Sequence, residues 1–187
     1  MGSININFIN LLKDDYKKYP IFIETWTHNG DTILNIEPYF NKLYTIELSE
    51  MLYNKTKNKY NGNKINFYLG DSTDVLKEIL PNINDDTIFF LDGHYSSGDT
   101  AQGNKDFPLI EEIENINNLF KNKGIIIIDD LRLFGKNKSS DILAEDWTDI
   151  NEDKIKIILN DRILDYYYLD SNMTINDRLI IHISNKN

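Results

Sequence analysis

Acidic side chains stand at the ends of the apolar runs in this chain, and that spacing points to where its chemistry lies. Glu24 follows Ile21-Phe22-Ile23, Glu47 follows the run 43–46, and Asp71 follows the run 65–69 after one glycine. Asp92 follows the run 87–91, and Asp129 with Asp130 follows Gly124-Ile125-Ile126-Ile127-Ile128. Neighbouring carboxylates repel, and a hard divalent cation relieves that repulsion. In a blander reading, one Asp of the pair caps the next loop and the other is solvated. Glu47 lies roughly 20 residues past a glycine-bearing loop, the spacing at which a carboxylate accepts from two vicinal ribose hydroxyls. That loop has no GxGxxG, so an adenosine without a pyrophosphate suits it better than a dinucleotide. His94 stands two residues past Asp92, and an imidazole titrates in the range useful for taking a proton.

These residues can share a site only if the runs before them are neighbouring strands. Four consecutive β-branched residues at 125–128, with no polar alternation, predict a strand buried on both faces. Residues 21–24, 43–46, 65–69 and 87–91 read as four more strands. Helix-like spacing of Ile6, Ile9, Leu12 and Tyr16 predicts a helix within 5–18, ended by Tyr19-Pro20. Asp31 or Thr32 caps a short helix toward Pro38. Ser49 with Glu50 opens a helix that fades at Asn61-Gly62, and residues 74–80 form one that Pro81 stops. Pro108 sits in the first turn of a helix whose core stripe is Leu109, Ile113, Ile116 and Phe120, with Glu111 and Glu112 at the positive end of its dipole. Asp149 and Glu152 box the start of a helix through Ile158. Residues 163–169 and 178–183 are joined by so short a turn that they must pair antiparallel. The alternation predicts an α/β fold: a doubly wound, Rossmann-like sheet, mostly parallel, with a C-terminal antiparallel hairpin and right-handed crossovers. In such sheets ligands bind beyond the carboxyl ends of the strands, which is where the acids fall.

The chain of 187 residues shows no internal repeat or composition break, so residues 1–187 are expected to form a single domain. Its 30 acids against 20 bases give a net charge of -10, which argues against nonspecific binding to nucleic acid or to an anionic membrane. Without cysteine it has no disulfide, no thiolate metal site and no cysteine nucleophile. No apolar run is long enough to span a bilayer. The segment 4–12 is punctuated by Asn and lacks the basic lead-in of a signal peptide, so a cytoplasmic location follows by default.

Together, Glu24-Thr25, Gly30-Asp31-Thr32, Glu47, Gly70-Asp71-Ser72, Leu91-Asp92-Gly93-His94-Tyr95 and Ile128-Asp129-Asp130 make the chain resemble the class I S-adenosylmethionine-dependent methyltransferases. The resemblance runs from Phe22 to the last strand. It implies the class I methyltransferase fold, with S-adenosylmethionine bound by Glu24, Thr25, Gly30, Glu47, Asp71, Ser72 and Asp92. The subgroup it is most similar to, the macrocin-type sugar O-methyltransferases, implies Mg²⁺ or another divalent cation held by Asp92, Asp129 and Asp130. It also implies that His94 stands where the subgroup has an Asp acting as base. The chain departs from the family at Trp26, where a glycine is usual. An indole there either occludes the cofactor or turns aside and stacks on it.

The activity this implies is O-methylation of a hydroxyl on a sugar or small polyol-like acceptor. The metal would lower the hydroxyl's pKa, and His94 would be the catalytic base. Tyr95, Ser96, Ser97 and Thr100 could hydrogen-bond such an acceptor. The expected partner is a small molecule or glycan, with no nucleic acid and no membrane; the oligomeric state is open, a homodimer being one option. Two other readings stand beside it. One is a metal-dependent glycosyltransferase, with Asp92-Gly93-His94 as a variant metal motif. The other is a non-catalytic relative in which Trp26 fills the cofactor site.

Overall fold

The computed structural model describes residues 2–92, 108–136 and 146–186. The β-branched and aromatic runs form β1 (Ile21–Thr25), β2 (Lys42–Glu47), β3 (Ile65–Leu69), β4 (Thr87–Leu91), β5 (Gly124–Ile128), β6 (Ile163–Leu169) and β7 (Arg178–Ile183). They make a seven-stranded sheet in the order β3-β2-β1-β4-β5-β7-β6. The first five strands are parallel, and β7 runs antiparallel to both β5 and β6. The strand order reverses between β1 and β4, which makes their carboxyl ends the switch point of the sheet.

The helices are α1 (Ile6–Ile9), α2 (Asp31–Ile36), α3 (Glu50–Lys57), α4 (Ser72–Ile79), α5 (Leu109–Leu119) and α6 (Glu152–Leu159). Alternation along each strand divides the core into two layers. Ile23, Ile46, Phe89, Ile126 and Ile181 pack with Leu76, Ile113, Ile116 and Ile155 on the α4–α5–α6 side. Phe22, Leu43, Ile88, Ile127 and Ile180 pack with Phe8, Ile9, Ile33 and Ile36 on the α1–α2 side. Each such side chain stabilises the fold by roughly 1.5–3 kcal/mol through area removed from water.

Four element ends differ from expectation, each for a local reason. The helix expected within 5–18 stops after Ile9, and Asp15 accepts from the Lys17 amide to start a separate 3₁₀ turn at Tyr16–Lys18. Short polar side chains of this kind offer the backbone an alternative to helix. In α2 the cap is Gly30, with φ 78°, rather than Asp31 or Thr32; the Thr32 hydroxyl instead accepts from the Ile4 amide at 3.1 Å. Helix α4 begins at Ser72, earlier than expected, because the Asp71 carboxylate accepts from the Thr73 amide. In α6 the cap is Asn151, accepting from the Lys154 amide at 2.9 Å, in place of Asp149. The stripe Leu109, Ile113, Ile116 and Phe120 of α5 is buried as expected. Among the described residues, no helix is long and apolar enough to cross a membrane.

Candidate active site

The register brings the strand ends to one level. Thr25 is paired with Ile46 and with Leu91, and Leu91 with Ile128. Trp26, Glu47, Asp92 and Asp129 therefore emerge along the same edge, over the switch point. Two hollows open there. One, a shallow depression, lies on the α4–α5 side and is lined by Trp26, Gly70, Asp71, Ser72 and Pro108. The other lies on the α1–α2 side and is lined by Ser3, Trp26, His28, Thr32, Phe90 and Asp92.

Trp26 borders both hollows and has φ 69°. A left-handed backbone costs a residue with a Cβ about 1–2 kcal/mol. The conformation is held because the amides of Trp26 and Thr27 both donate to the Ile46 carbonyl, at 2.9 and 3.1 Å. Those bonds carry the β1–β2 ladder past the strand end and fix where the indole sits.

Glu47 is 1 % exposed. Its Oε2 accepts from the His28 amide and its Oε1 from the Ser49 amide, both at 2.8 Å. Burial pushes its pKa up, and the two amides oppose that shift. The side chain thereby ties the first loop to the start of α3, and a ribose at this position would share an acceptor already serving the backbone. Glu24, Thr25, Gly30 and Glu47, expected to bind the cofactor, are not among the residues lining either hollow. Glu24 accepts from the Thr45 hydroxyl at 2.6 Å, and Thr45 lies 2.5 Å from the Thr27 hydroxyl. Burial, with the nearby charge of Glu47 adding to it, pushes the Glu24 pKa up to about 8. Gly30 closes the loop against α3, since a Cβ there would stand 2.4 Å from the Thr56 methyl. Asp71 and Ser72 line the first hollow, Asp71 while also capping α4.

The remaining acids gather at the β4–β5 end of the edge. Because Ile128 pairs with Leu179, Arg178 stands beside Asp129 one step further along. Its Nε and Nη2 donate to the two Asp129 oxygens at 3.0 and 3.2 Å, and Nη2 also donates to the Gly2 carbonyl at 3.0 Å. Gly2 can come this close because it lacks a Cβ, which would lie 2.3 Å from Asp129 Oδ2. Asp130 adopts φ 63°, and it and Asp177 both bond Arg132. One carboxylate oxygen from each of Asp129, Asp130 and Asp177 lies within 4.8 Å of the others, all three residues being buried. Burial, then the charges of Asp129 and Asp130, push the Asp92 pKa well above the usual carboxylate range. Burial raises that of Asp129 too, outweighing Arg178. The three ionised carboxylates against two guanidiniums would leave one negative charge, which a cation would offset. Hard oxygen donors at this spacing fit a cation; of the expected ligands Asp129 and Asp130 belong to the set, Asp92 is not among the three, and Asp177 is the third.

His94 lies outside the described residues, as do Tyr95, Ser96, Ser97 and Thr100. His28 lines the second hollow. His182 is buried in the sheet, 3.2 Å from the Tyr167 hydroxyl. Sequence reasoning gave no site role to Thr32, Phe90, Asp177 or Glu112. The signal for Asp177 was its place beside the first residue of the last strand. The signal for Glu112 was its place on the apolar face of α5, three residues after Leu109 and one before Ile113.

No protein-family model matches the chain, and no curated protein is similar to it in sequence at a significant level. Solved structures do share its fold. The O-methyltransferase TomG from Streptomyces achromogenes, involved in tomaymycin synthesis and solved with S-adenosylmethionine, superposes with a TM-score of 0.62. It is 11% identical over 91% of this chain and 75% of its own. An O-methyltransferase from Bacillus cereus, solved with S-adenosylhomocysteine, gives a TM-score of 0.62 at 12% identity over 95% of this chain and 86% of its own. An S-adenosylmethionine-dependent methyltransferase from Clostridium acetobutylicum gives 0.56 at 16% identity over 97% and 96%. The chain thus has the seven-stranded fold of these enzymes, antiparallel end included.

Proposed function

On this shared fold, we propose that the chain is an S-adenosylmethionine-dependent O-methyltransferase acting on a hydroxyl of a sugar or small polyol-like acceptor, assisted by Mg²⁺ or another divalent cation. The observation that carries the reading is the pair of hollows meeting at Trp26 over the β1–β4 switch point, with Asp92 and Asp129 following on the same edge. When bound, the cofactor supplies an electrophilic methyl group and the metal polarises the acceptor oxygen. Asp71 and Ser72 would hold the adenine side, Glu47 the ribose, and the loop 25–30 the methionine end. Asp92, Asp129, Asp130 and Asp177 would hold the cation, while Arg178 and Arg132 keep the carboxylates aligned. His94 would take the acceptor proton.

The test is calorimetric titration with S-adenosylhomocysteine. Micromolar binding, together with methyl transfer to a polyol that needs Mg²⁺ and is lost in Asp130→Asn, supports the proposal. No heat at millimolar ligand overturns the cofactor assignment. A second reading, a non-catalytic binding protein, is favoured by the indole bordering both hollows and by the full engagement of Glu47. Trp26→Gly separates the two: a gain in affinity for S-adenosylhomocysteine supports occlusion, and a loss supports stacking.

A further inference from the structure

Glu112 is 0 % exposed, and the only groups placed to hydrogen-bond its carboxyl, among the described residues, are two hydroxyls. It projects from α5 to where β1 and α4 meet; burial pushes its pKa up to about 7, and hydrogen bonding from the hydroxyls of Ser72 and Thr25 opposes that rise. The Thr25 hydroxyl is buried, with the Glu112 carboxyl as its neighbour. Two hydroxyls offset only part of the desolvation penalty of so deep a carboxyl, so its place on an otherwise apolar helix face is not a packing solution. Ser72 lines the first hollow, and so does Pro108, one helical turn above Glu112, whose carbonyl accepts from the Glu112 amide at 2.9 Å. The acid therefore lies directly under the base-side hollow, with Ser72 between. Asp71, at the head of α4, is the charged group facing it. Further along α4, Asp74 and Lys77 pair with each other in solvent.

We infer that Glu112 is a positioning residue that selects adenine through Ser72. In the bound state the Glu112 carboxyl accepts from the Ser72 hydroxyl, which leaves the Ser72 oxygen lone pairs turned to the hollow. An acceptor there pairs with the exocyclic amine of adenine and not with the carbonyl of hypoxanthine. Thr25 donates to the second Glu112 oxygen and steadies it. This rests on the proposed binding of S-adenosylhomocysteine in the same hollow.

The experiment compares S-adenosylhomocysteine with S-inosylhomocysteine by calorimetry, in the unmodified protein, Glu112→Gln and Glu112→Leu, with a thermal melt of each. The unmodified protein should favour the adenine ligand by about tenfold or more, because a site built around a hydrogen bond rejects the analogue that cannot make it. Glu112→Leu should bring the two affinities together while melting no lower, since it removes a desolvated acid from an apolar face. Glu112→Gln keeps an acceptor for Ser72 and should retain most of the preference. The inference is overturned if Glu112→Leu keeps the preference. It is equally overturned if Glu112→Leu melts lower and weakens both ligands alike, which is what a structural role gives. Equal affinity of the unmodified protein for both ligands sinks this inference alone. Binding of neither sinks the functional proposal with it.

Discussion

Replacing Glu24 by Gln should flatten the pH dependence of stability. In the folded protein Glu24 lies buried under the first loop with its pKa pushed up to about 8, against 4.5 in the unfolded chain. Between these values the folded state binds more protons than the unfolded one, so unfolding free energy falls as pH rises. The contribution is fully present below pH 4.5 and lost as pH climbs through about 8. At 1.36 kcal/mol per unit, a shift of this size amounts to at most about 5 kcal/mol, and on the order of 3 if the interior relaxes around the anion. Gln has no proton to lose and still accepts from Thr45. The assay is urea unfolding at half-unit steps from pH 5 to 9 for both proteins. Their difference should grow in favour of Glu24→Gln by several kcal/mol across that range. Parallel curves would refute the reasoning, because they would mean that Glu24 is solvated or already ionised at pH 5.

Asp129→Asn should destabilise by about 3–5 kcal/mol in urea melts, because it leaves the Arg178 guanidinium buried opposite a neutral amide. Ile127→Ala removes a fully buried side chain from the middle of the sheet and should cost about 2–5 kcal/mol with an unchanged urea slope. Trp26→Gly relieves a left-handed tryptophan, about 1–2 kcal/mol in the backbone alone. Its melting temperature should fall by less than that of a typical buried tryptophan truncation. If Mg²⁺ binds the Asp cluster, millimolar Mg²⁺ should raise the melting temperature of the unmodified protein, and Asp130→Asn should abolish the rise.

The order of strands and helices was legible because period and composition change sharply along the chain. The run 125–128 has only one sensible fate, and the short link before Arg178 leaves only an antiparallel return. The first helix was misjudged because apolar spacing outweighed Asp14 and Asp15, whose side chains hold the backbone in turns. The acids at strand ends could be placed on one edge from position alone. Their partners could not be foreseen. That Glu47 serves the His28 and Ser49 amides depends on how two loops fold back on it. That Arg178 meets Asp129 depends on the register of a strand 49 positions later. Glu112 was assigned to the dipole end of its helix, although it shares the core face with Leu109, Ile113 and Ile116. A charged residue within an apolar stripe deserved to be weighed as buried, and no local rule says what it will face.

The pairing of Arg178 with Asp129 sets an order of events for the nascent chain. Until β7 has been synthesised and has docked beside β5, the carboxylate of Asp129 has no guanidinium to offset it, and the isoleucine strand presents a bare hydrogen-bonding edge. An open, β-branched edge of this kind is a template for association with other chains. The final hairpin is thus the protective cover of the central sheet, and shortened products that lack it should collect in the insoluble fraction even though every residue of the proposed cofactor site is present in them.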